Sequence, residues 1–506
     1  MPTIPGTLRA AAGRTPERDA LRCGERVRRY RELDADVDRA VAVLQARGVT
    51  KGDRVGLMAP NSDGFVVAFY AALRAGAIVV PINPALARPE LVHVLRDAGA
   101  RAVVTAPETA DGVAAAIAEL EAPVATLALG TVAGLPDLLS ADAGPPTAVA
   151  LAEDDDALIL YTSGTTGLPK GVLMDHHRLI WVGVGAIALG ELRDGDRLLH
   201  VAPLYHAAQL ALMLISGTMV CATHVVLPGF DPPRVLDALE RHRITSFFGV
   251  PTMFELLLRQ PDLGDRDLSA MRMAMFGAAP MPGATVERLL SALPGMRLLQ
   301  FCGQTEAGPG GIYSTFDDVR ARPEASGRWP LLNGEARVVD GDGHEVEDGG
   351  VGELLLRGET VMKGYWRNPE ATAETIRDGW LHTGDLARRD ADGFVTLVDR
   401  LKDMVITGGR NVYSLEVENA IAAHPDVAEC AVVGRPHETY GESIVAVVGL
   451  RPGASLDLDG LRAFCGERIA GYKLPHALVV GAIPRNASGK VLKRELRACV
   501  AETAVR

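Results

Sequence analysis

The segment from Thr162 to Lys170 contains the residue types that hold phosphate groups in proteins. It follows an apolar run, Ala157 to Leu160, and it supplies the small or hydroxyl-bearing residues Ser163, Gly164, Thr165, Thr166 and Gly167. Glycine lets backbone N–H groups approach an anion closely, hydroxyls add donors, and the lysine supplies positive charge. The pattern therefore predicts a buried strand that leads into a polyphosphate-binding loop rather than a flexible surface linker. It is not a Walker loop, because Leu168 and Pro169 stand where that motif requires Gly-Lys-Ser/Thr.

Three further stretches could bind a nucleotide or its metal ion. Gly277, Ala278 and Ala279 end a strand-like run, where a flat ring could lie against the backbone. Thr305 and Glu306 follow another apolar run and offer oxygen ligands, which suit Mg²⁺. Asp385 lies in a turn, where its carboxylate could accept hydrogen bonds from two ribose hydroxyls. Taken singly, each stretch also fits an ordinary turn or a solvated surface group.

Composition restricts the class of protein. The formal net charge of -12 over 506 residues argues against a general nucleic-acid binder, which would normally show a basic face. Six scattered cysteines without a CxxC pair predict a reducing, cytoplasmic location and no structural metal. The N-terminus has no apolar signal-peptide region. The apolar segment 210–222 is too short for a transmembrane helix and is predicted to be a buried helix that leads into a strand.

The elements around these stretches follow a parallel α/β pattern. Tyr30 to Leu44 has helical periodicity, and a strand ending near Pro60 is followed by a helix, Phe65 to Arg74, and another strand, Ala77 to Pro81. The same order recurs 143 positions later, where Gly195-Asp196-Arg197 and Ala202-Pro203 match Gly52-Asp53-Arg54 and Ala59-Pro60. This repeat predicts two related, stacked α/β subdomains.

The C-terminal third has a different texture. From about Gly334 the chain contains short β-like runs with Gly/Asp turns, which predict a small β subdomain. A mixture of helical and strand patterns follows. We therefore predict an N-terminal domain over residues 1–400 and an α+β domain over 401–506 that can move separately.

In this order and spacing, the stretches resemble the superfamily of adenylate-forming enzymes, which includes acyl-CoA synthetases, peptide-synthetase adenylation domains and beetle luciferase. The resemblance covers nearly the whole chain and is most specific at the Thr162–Lys170 loop and at Ser488-Gly489-Lys490. It implies an acid–thiol ligase that uses ATP, Mg²⁺ and coenzyme A to convert a carboxylic acid to an acyl-AMP and then to a thioester.

The resemblance also implies individual roles. The residues of the Thr162–Lys170 loop handle the β- and γ-phosphates of ATP, with Thr165 and Glu306 near Mg²⁺. The rest of the ATP site comprises Gly277, Ala278, Ala279, Cys302, Gly303, Gln304 and Thr305 around the base, with Asp385 and Arg400 at the ribose. Lys402 is the hinge, Gly408 and Gly409 line the CoA tunnel, and Lys490 is the adenylation lysine that bridges the carboxylate and the α-phosphate.

Several positions depart from the family pattern. Cys302 replaces an aromatic residue, usually tyrosine, that packs on adenine, so ATP binding is expected to be weaker. Ser414 replaces a proline after the hinge, and Gln209 stands where many relatives have glycine. Every charged catalytic position is retained.

The acyl pocket is predicted to be apolar and rich in small residues. Tyr205 and His206 belong to a segment that resembles the substrate-gating motif of acyl-CoA synthetases, with His206 also a candidate catalytic residue. The remaining candidates for the lining are Phe247, Phe248, Gly249, Gly277, Ala278 and Gly311. Because small residues leave volume, a bulky apolar acid is expected: aryl, fatty or polycyclic.

The sequence leaves several functional alternatives open. The enzyme could make only acyl-AMP for a carrier protein, or only the thioester from acyl-AMP supplied from elsewhere. A non-catalytic paralogue that binds acyl-adenylate or CoA is disfavoured by the retained Lys490 and Glu306. The chain is expected to act as a monomer or a homodimer.

Overall fold

The computed structural model describes residues 2–140, 143–162, 168–279, 281–485 and 491–502. By its internal contacts the chain forms two compact units, Met1–Ala336 with Leu356–His382 and Arg337–Leu355 with Thr383–Arg506. The mixed α/β class predicted from the sequence is confirmed. The predicted domain boundary at residue 400 stays a prediction, and the contact-based division falls at other positions.

The first unit contains two large, mostly parallel sheets. In spatial order, the seven-stranded sheet comprises Gly364–Tyr365, Lys170–Asp175, Asp156–Thr162, Ile78–Ile82, Arg54–Met58, Ala100–Thr105 and Ala125–Ala128. The nine-stranded sheet comprises Trp329–Pro330, Gly311–Ser314, Arg297–Gly303, Met273–Gly277, Ser246–Gly249, Arg197–His200, Thr223–Val226, Asp19–Cys23 and Arg26–Arg29.

Helices pack on these sheets. The α-helices of the first unit are Ile4–Arg14, Tyr30–Ala46, Asp63–Arg74, Arg88–Ala98, Ala110–Ile117, His176–Leu189, Ser216–Met219, Pro232–Arg241, Pro251–Leu258, Gly283–Ala292, Phe316–Ala321 and Pro369–Thr375. A π-helix spans Ala208–Ile215, and 3₁₀ turns span Pro107–Thr109, Leu263–Asp265 and Thr305–Ala307. Every residue of Asp63–Arg74 is buried, as expected for a helix that is apolar on nearly all sides.

The predicted repeat is visible as two matching parallel strand pairs. Arg54 lies opposite Ile78 in one sheet, and Arg197 lies opposite Thr223 in the other. The two copies also contact each other directly, because the Asn61 amide donates to the Ala202 carbonyl at 2.9 Å and accepts from the Leu204 N–H at 2.7 Å. The prediction of two related α/β subdomains packed together is therefore confirmed.

A five-stranded sheet comprises Gly334–Val339, Val351–Gly358, Trp380–Arg389, Ile376–Arg377 and Val395–Arg400. The second unit also holds a sheet of Arg410–Val412, Val405–Thr407, Gly441–Leu450, Val427–His437 and Ala477–Val480. Its helices are Ser414–Ala422, Leu458–Gly466 and Lys493–Glu502, with a 3₁₀ turn at Gly471–Lys473. This is the predicted α+β composition.

Candidate active site

The proposed phosphate loop joins two antiparallel strands. Thr162 lies opposite Lys170, so the two ends of the loop are held together by the hairpin. The Tyr161 hydroxyl donates to Asp97 at 2.5 Å, and His93 Nε2 lies 3.0 Å from the Pro169 carbonyl oxygen. Burial raises the pKa of Tyr161, and its bond to Asp97 raises it further. These contacts fix both ends of the loop on the sheet.

Five loop residues fall outside the described part of the chain. They are Ser163, Gly164, Thr165, Thr166 and Gly167. Their predicted contacts with phosphate and Mg²⁺ stay predictions.

A tyrosine that the sequence reasoning missed connects the loop to the predicted metal ligand. The Tyr365 hydroxyl donates to Glu306 Oε1 at 3.0 Å, and Lys170 Nζ lies 5.0 Å from the centre of the Tyr365 ring. Glu306 is 9% exposed and lies in the turn Thr305–Ala307 after a strand. Its backbone carbonyl accepts from the Met362 N–H at 2.8 Å, which fixes the turn. A cation, an aromatic hydroxyl and a carboxylate thus form one cluster beside the loop.

The predicted adenine segment lies at the carboxyl end of a parallel strand pair. Gly277 is opposite Phe301, so Ala278 is beside Cys302 at the same edge of the sheet. A Cβ at Gly277 would lie 2.5 Å from the Phe301 carbonyl oxygen. A Cβ at Gly303 would lie 1.9 Å from the Gly310 carbonyl oxygen. Only glycine fits at these two positions. Ligands of open α/β sheets bind at this kind of edge.

The exposure of these residues suits a flat ligand. Ala278 and Ala279 are exposed, Ala278 has a positive φ of 68°, and Gln304 and Thr305 are half-buried. The structure therefore brings the predicted base-binding residues together. Cys302, predicted from the resemblance to replace an aromatic ring, is half-buried.

The predicted acyl lining is partly wrong. Phe247 and Phe248 are neighbours in a strand, so their side chains point to opposite faces of the sheet. Phe247 packs in the hydrophobic core with its ring stacked on Phe254 at 5.1 Å between centroids, and Gly249 faces the same Phe254 ring. Phe248 lies on the other face, 3.7 Å from where a Cβ of Gly277 would be. Phe248 is the member of this strand placed to line a pocket near Gly277.

Tyr205 and His206 precede the π-helix Ala208–Ile215. The Leu210 N–H donates to the His206 carbonyl at 3.1 Å, and the Ala208 N–H donates to His206 Nδ1 at 3.3 Å. Because Nδ1 accepts, the neutral ring carries its proton on Nε2. His206 is exposed, and desolvation by the surrounding protein lowers the pKa of its imidazole. His206 therefore presents an N–H donor at Nε2. Gly311 is buried, and a Cβ there would lie 2.8 Å from Leu356.

In the second unit, the two predicted ribose contacts form a pair. Asp385 and Arg400 lie opposite each other on antiparallel strands, with Arg400 Nε 2.5 Å from Asp385 Oδ1. The Asp385 N–H donates to Thr383 Oγ1 at 3.1 Å, and the Gly384 N–H donates to Glu353 at 2.9 Å. Strand pairing thus explains why residues 15 positions apart lie side by side.

The remaining predicted residues of this unit lie in turns. Lys402 is exposed, and its carbonyl accepts from Arg497 at 3.2 Å. Gly408 and Gly409, with φ of 56° and 72°, are the two central residues of a hairpin turn, a geometry that favours glycine at both positions. Lys490 lies outside the described residues.

Ser414 uses the donors that a proline would lack. Its N–H donates to the Asp399 carboxylate, its hydroxyl donates to Asp399 Oδ1 at 2.9 Å, and Lys493 donates to the hydroxyl at 2.7 Å. Lys493 is also 2.7 Å from Glu418. Burial raises the pKa of both carboxyl groups, opposed by Lys493. The family departure at this position is therefore built into a buried polar network.

The first unit thus combines two α/β sheets with a hairpin that carries the predicted phosphate loop and a cluster of Lys170, Tyr365 and Glu306. A family model described as AMP-binding enzyme matches residues 8–366, and one described as AMP-binding enzyme C-terminal domain matches residues 416–490. The chain belongs to this family of adenylate-forming enzymes. It is an ATP-dependent acyl-CoA synthetase that acts on a small-molecule acid.

Similar proteins span almost the whole chain. A feruloyl-CoA synthase of an Amycolatopsis species is 39% identical over 486 residues, 96% of each chain. A long-chain-fatty-acid–CoA ligase of Mycobacterium tuberculosis is 34% identical over 469 residues, 92% of each chain. A Rhodococcus jostii ligase for a propanoyl group bearing a methyl-dioxo-octahydroindenyl ring system is 37% identical over 525 residues, 98% of each chain.

The fold also matches a solved structure. The crystal structure of ATP-bound MatB from Rhodopseudomonas palustris is similar with a TM-score of 0.88 and 34% identity over 99% of each chain. Among the described residues, no helix combines the length and apolarity needed to span a bilayer.

Proposed function

We propose that this enzyme activates a bulky apolar carboxylic acid, aryl, fatty or polycyclic, and transfers the acyl group to coenzyme A. The observation that carries the proposal is the cluster in which Lys170, Tyr365 and Glu306 meet beside the loop hairpin. A positive charge and a carboxylate held by a hydrogen bond next to this hairpin support a site for a triphosphate and its metal ion. The family and the relatives named as CoA ligases for feruloyl, fatty and polycyclic acyl groups support the same activity.

Two displacements follow from the chemistry of the acid. A carboxylate is a poor electrophile, because its leaving group would be oxide. A carboxylate oxygen attacks the α-phosphorus of ATP, the bond to the β-phosphate oxygen breaks, and pyrophosphate leaves. The thiolate of CoA then attacks the acyl carbon, and AMP leaves with the carboxylate oxygen. Charge that develops on the phosphoryl oxygens needs donors fixed in advance. We assign this role to Lys170, to the predicted loop residues and to the predicted Lys490.

Glu306 suits the Mg²⁺ that accompanies ATP. Its carboxylate is buried, Tyr365 holds Oε1, and oxygen donors are the ligands that Mg²⁺ prefers. Glu306, with the predicted Thr165, would hold the ion, whose charge offsets that of the phosphates. The hydrogen bond from Tyr365 would orient the carboxylate for this role.

The proposed substrate class rests on the relatives named for feruloyl, fatty and polycyclic acyl groups and on Ala278, which is exposed at a strand end. Gly277 and Gly311 allow close backbone packing rather than adding volume, because a Cβ there would lie 2.5 Å from the Phe301 carbonyl oxygen or 2.8 Å from Leu356. Adenylation and thioesterification need different groups at the same carbonyl, so the proposal includes movement of a domain over 401–506. It assigns the hinge to Lys402 and the lining of the CoA tunnel to Gly408 and Gly409. A cytoplasmic location belongs to it as well.

The test follows both products separately. The protein is incubated with ATP, Mg²⁺, CoA and a panel of aryl, fatty and polycyclic acids, and pyrophosphate and thioester are measured. We expect both products in equal amounts from at least one acid. Pyrophosphate without thioester would point to another acceptor, such as a carrier protein. Formation of thioester only from supplied acyl-AMP would contradict the complete two-step reaction. The absence of both products would indicate a binding protein.

A variant pair tests the role of Lys490. Lys490→Ala is expected to abolish acyl-AMP formation and largely spare thioester formation from supplied acyl-AMP. Arg494→Ala, which removes a nearby exposed charge, is the matched control and should leave both steps intact. Equal loss of both steps in Lys490→Ala would contradict the assignment.

A further inference from the structure

A chain of hydrogen-bonded side chains crosses the interior of the first unit. Its members are at most 2% exposed and are Gln209, His200, His224, Thr218 and Tyr70. Gln209 Nε2 lies 2.7 Å from His200 Nδ1, and His200 Nε2 lies 2.9 Å from His224 Nδ1. His224 Nε2 lies 3.2 Å from Thr218 Oγ1, to which the Tyr70 hydroxyl donates at 2.8 Å. Among the described residues, Gln209 Oε1 has no hydrogen-bond partner.

Counting protons fixes the direction of every bond. Thr218 has one hydroxyl proton, which it donates to the Leu214 carbonyl at 2.9 Å. His224 Nε2 must therefore carry a proton and donate to Thr218, which leaves His224 Nδ1 as an acceptor. His200 then donates from Nε2 and accepts at Nδ1, so Gln209 must turn its NH₂ group toward His200. The amide oxygen of Gln209 is thereby forced to the opposite side.

The count requires both rings to be neutral, with one proton each. Burial lowers the pKa of His224 to about 3. Burial also lowers the pKa of His200, and the neighbouring His224 lowers it further. Neither ring can take a second proton near neutral pH, so the orientation is stable there.

Gln209 is close in the fold to two residues of the predicted acyl lining, His206 and Phe248. It is one helical turn after His206, in the π-helix Ala208–Ile215, and π-helical turns are frequent at functional sites. Its partner His200 is on a strand in which Leu199 pairs with Phe247, so Phe248 is the neighbour of His200 on the same sheet face. That is the face on which Phe248 approaches Gly277.

We infer that Gln209 Oε1 accepts a hydrogen bond from a hydroxyl or N–H group in the acyl part of the substrate. The inference rests on the proposed function and narrows its substrate class. A buried acceptor without a donor is costly, so the site favours an acid that supplies one over an acid of equal shape that does not. Hydroxylated or N–H-bearing aryl acids meet this requirement. Unsubstituted fatty acids and ring systems whose only polar groups are ketones do not.

Matched substrate pairs test the inference. They are ferulate and 3-methoxycinnamate, indole-3-acetate and 1-methylindole-3-acetate, and 16-hydroxyhexadecanoate and hexadecanoate. The kcat/KM for thioester formation is expected to favour the donor-bearing member of at least one pair by about 10- to 100-fold. Equal kcat/KM within every reacting pair would overturn the inference and leave the proposed function standing. If no acid of any pair or of the wider panel yields pyrophosphate or thioester, the proposed function itself fails.

Two variants connect the preference to the buried chain. Gln209→Leu removes the acceptor. The ratio of kcat/KM between the two members of a pair should fall close to one, mainly because kcat/KM for the donor-bearing acid decreases. Thr218→Val is nearly isosteric and removes the hydroxyl oxygen that accepts from His224 Nε2–H and so sets the direction of these hydrogen bonds. The ratio should therefore fall as well. A general loss of folding would lower kcat/KM for both members of a pair equally. An unchanged ratio in Gln209→Leu would refute the assignment.

Discussion

Tyr365→Phe isolates the hydrogen bond that holds the predicted metal ligand. The substitution keeps the ring over which Lys170 lies at 5.0 Å and removes the hydroxyl that donates to Glu306 Oε1 at 3.0 Å. A hydrogen bond to a charged group contributes about 1.5–3 kcal/mol, and Glu306 is mostly buried. If that energy keeps the carboxylate in its working orientation, kcat/KM for ATP should fall about 10- to 100-fold.

Tyr365→Leu is the matched comparison, since it removes the hydroxyl and the ring together. The cation–π contact with Lys170 contributes about 0.5–2 kcal/mol, so this variant should lose a further factor of about 2 to 30. The assay is steady-state pyrophosphate release with ATP varied at a saturating acid concentration, alongside thermal unfolding. An unchanged kcat/KM for ATP in Tyr365→Phe, or identical losses in the two variants, would refute the reasoning.

Three further predictions concern stability. Gly303→Ala places a Cβ 1.9 Å from a backbone carbonyl oxygen and should lower Tm by several degrees, whereas Gly295→Ala, which meets nothing within 4 Å, should not; equal Tm values would contradict this. Ser414→Pro removes two donors from a buried carboxylate and should cost about 2–4 kcal/mol in urea unfolding, an effect that an unchanged midpoint would exclude. Below about pH 6.5 His200 and His224 become protonated in the unfolded chain but stay neutral in the folded protein, because burial lowers their pKa. The free energy of unfolding should therefore be about 2 kcal/mol lower per histidine at pH 5 than at pH 7.5. Equal free energies of unfolding from urea titrations at the two pH values would contradict this prediction.

Local patterns in the sequence predict much of the architecture correctly. The helical periodicity after Tyr30 gives the helix Tyr30–Ala46, and the repeat at 143 positions gives two matching parallel strand pairs. Both signals are periodic within one element or repeated along the chain. Burial of an apolar face enforces them regardless of distant contacts.

Contacts between distant segments limit what the sequence could predict of the site. Tyr365 reaches Glu306 because Gly364–Tyr365 pairs with Val172 and Leu173, almost 200 positions earlier in the chain, and no local pattern announces that pairing. The alternation of side chains in a strand could have separated Phe248 from Phe247, but only if the face that carries the core had been known.

The buried series of hydrogen bonds that ends at Gln209 could not be predicted from the sequence either. The sequence shows Gln209 as a departure from glycine, but His200 and His224 belong to two neighbouring strands whose register has to be known before their rings can be brought together. Only the proton count along the assembled chain gives the amide a direction.

The interrupted course of the second unit has a consequence for dissecting the protein into fragments. This unit takes residues 337–355 from the middle of the chain and resumes at Thr383. A truncated protein that begins at residue 401 would lack Asp399, so the N–H and hydroxyl of Ser414 would lose their acceptor. It would also lack the strand that pairs Asp385 with Arg400. A fragment meant to contain the whole second unit should therefore begin in a surface turn before residue 337, so that both segments of the unit lie on one polypeptide.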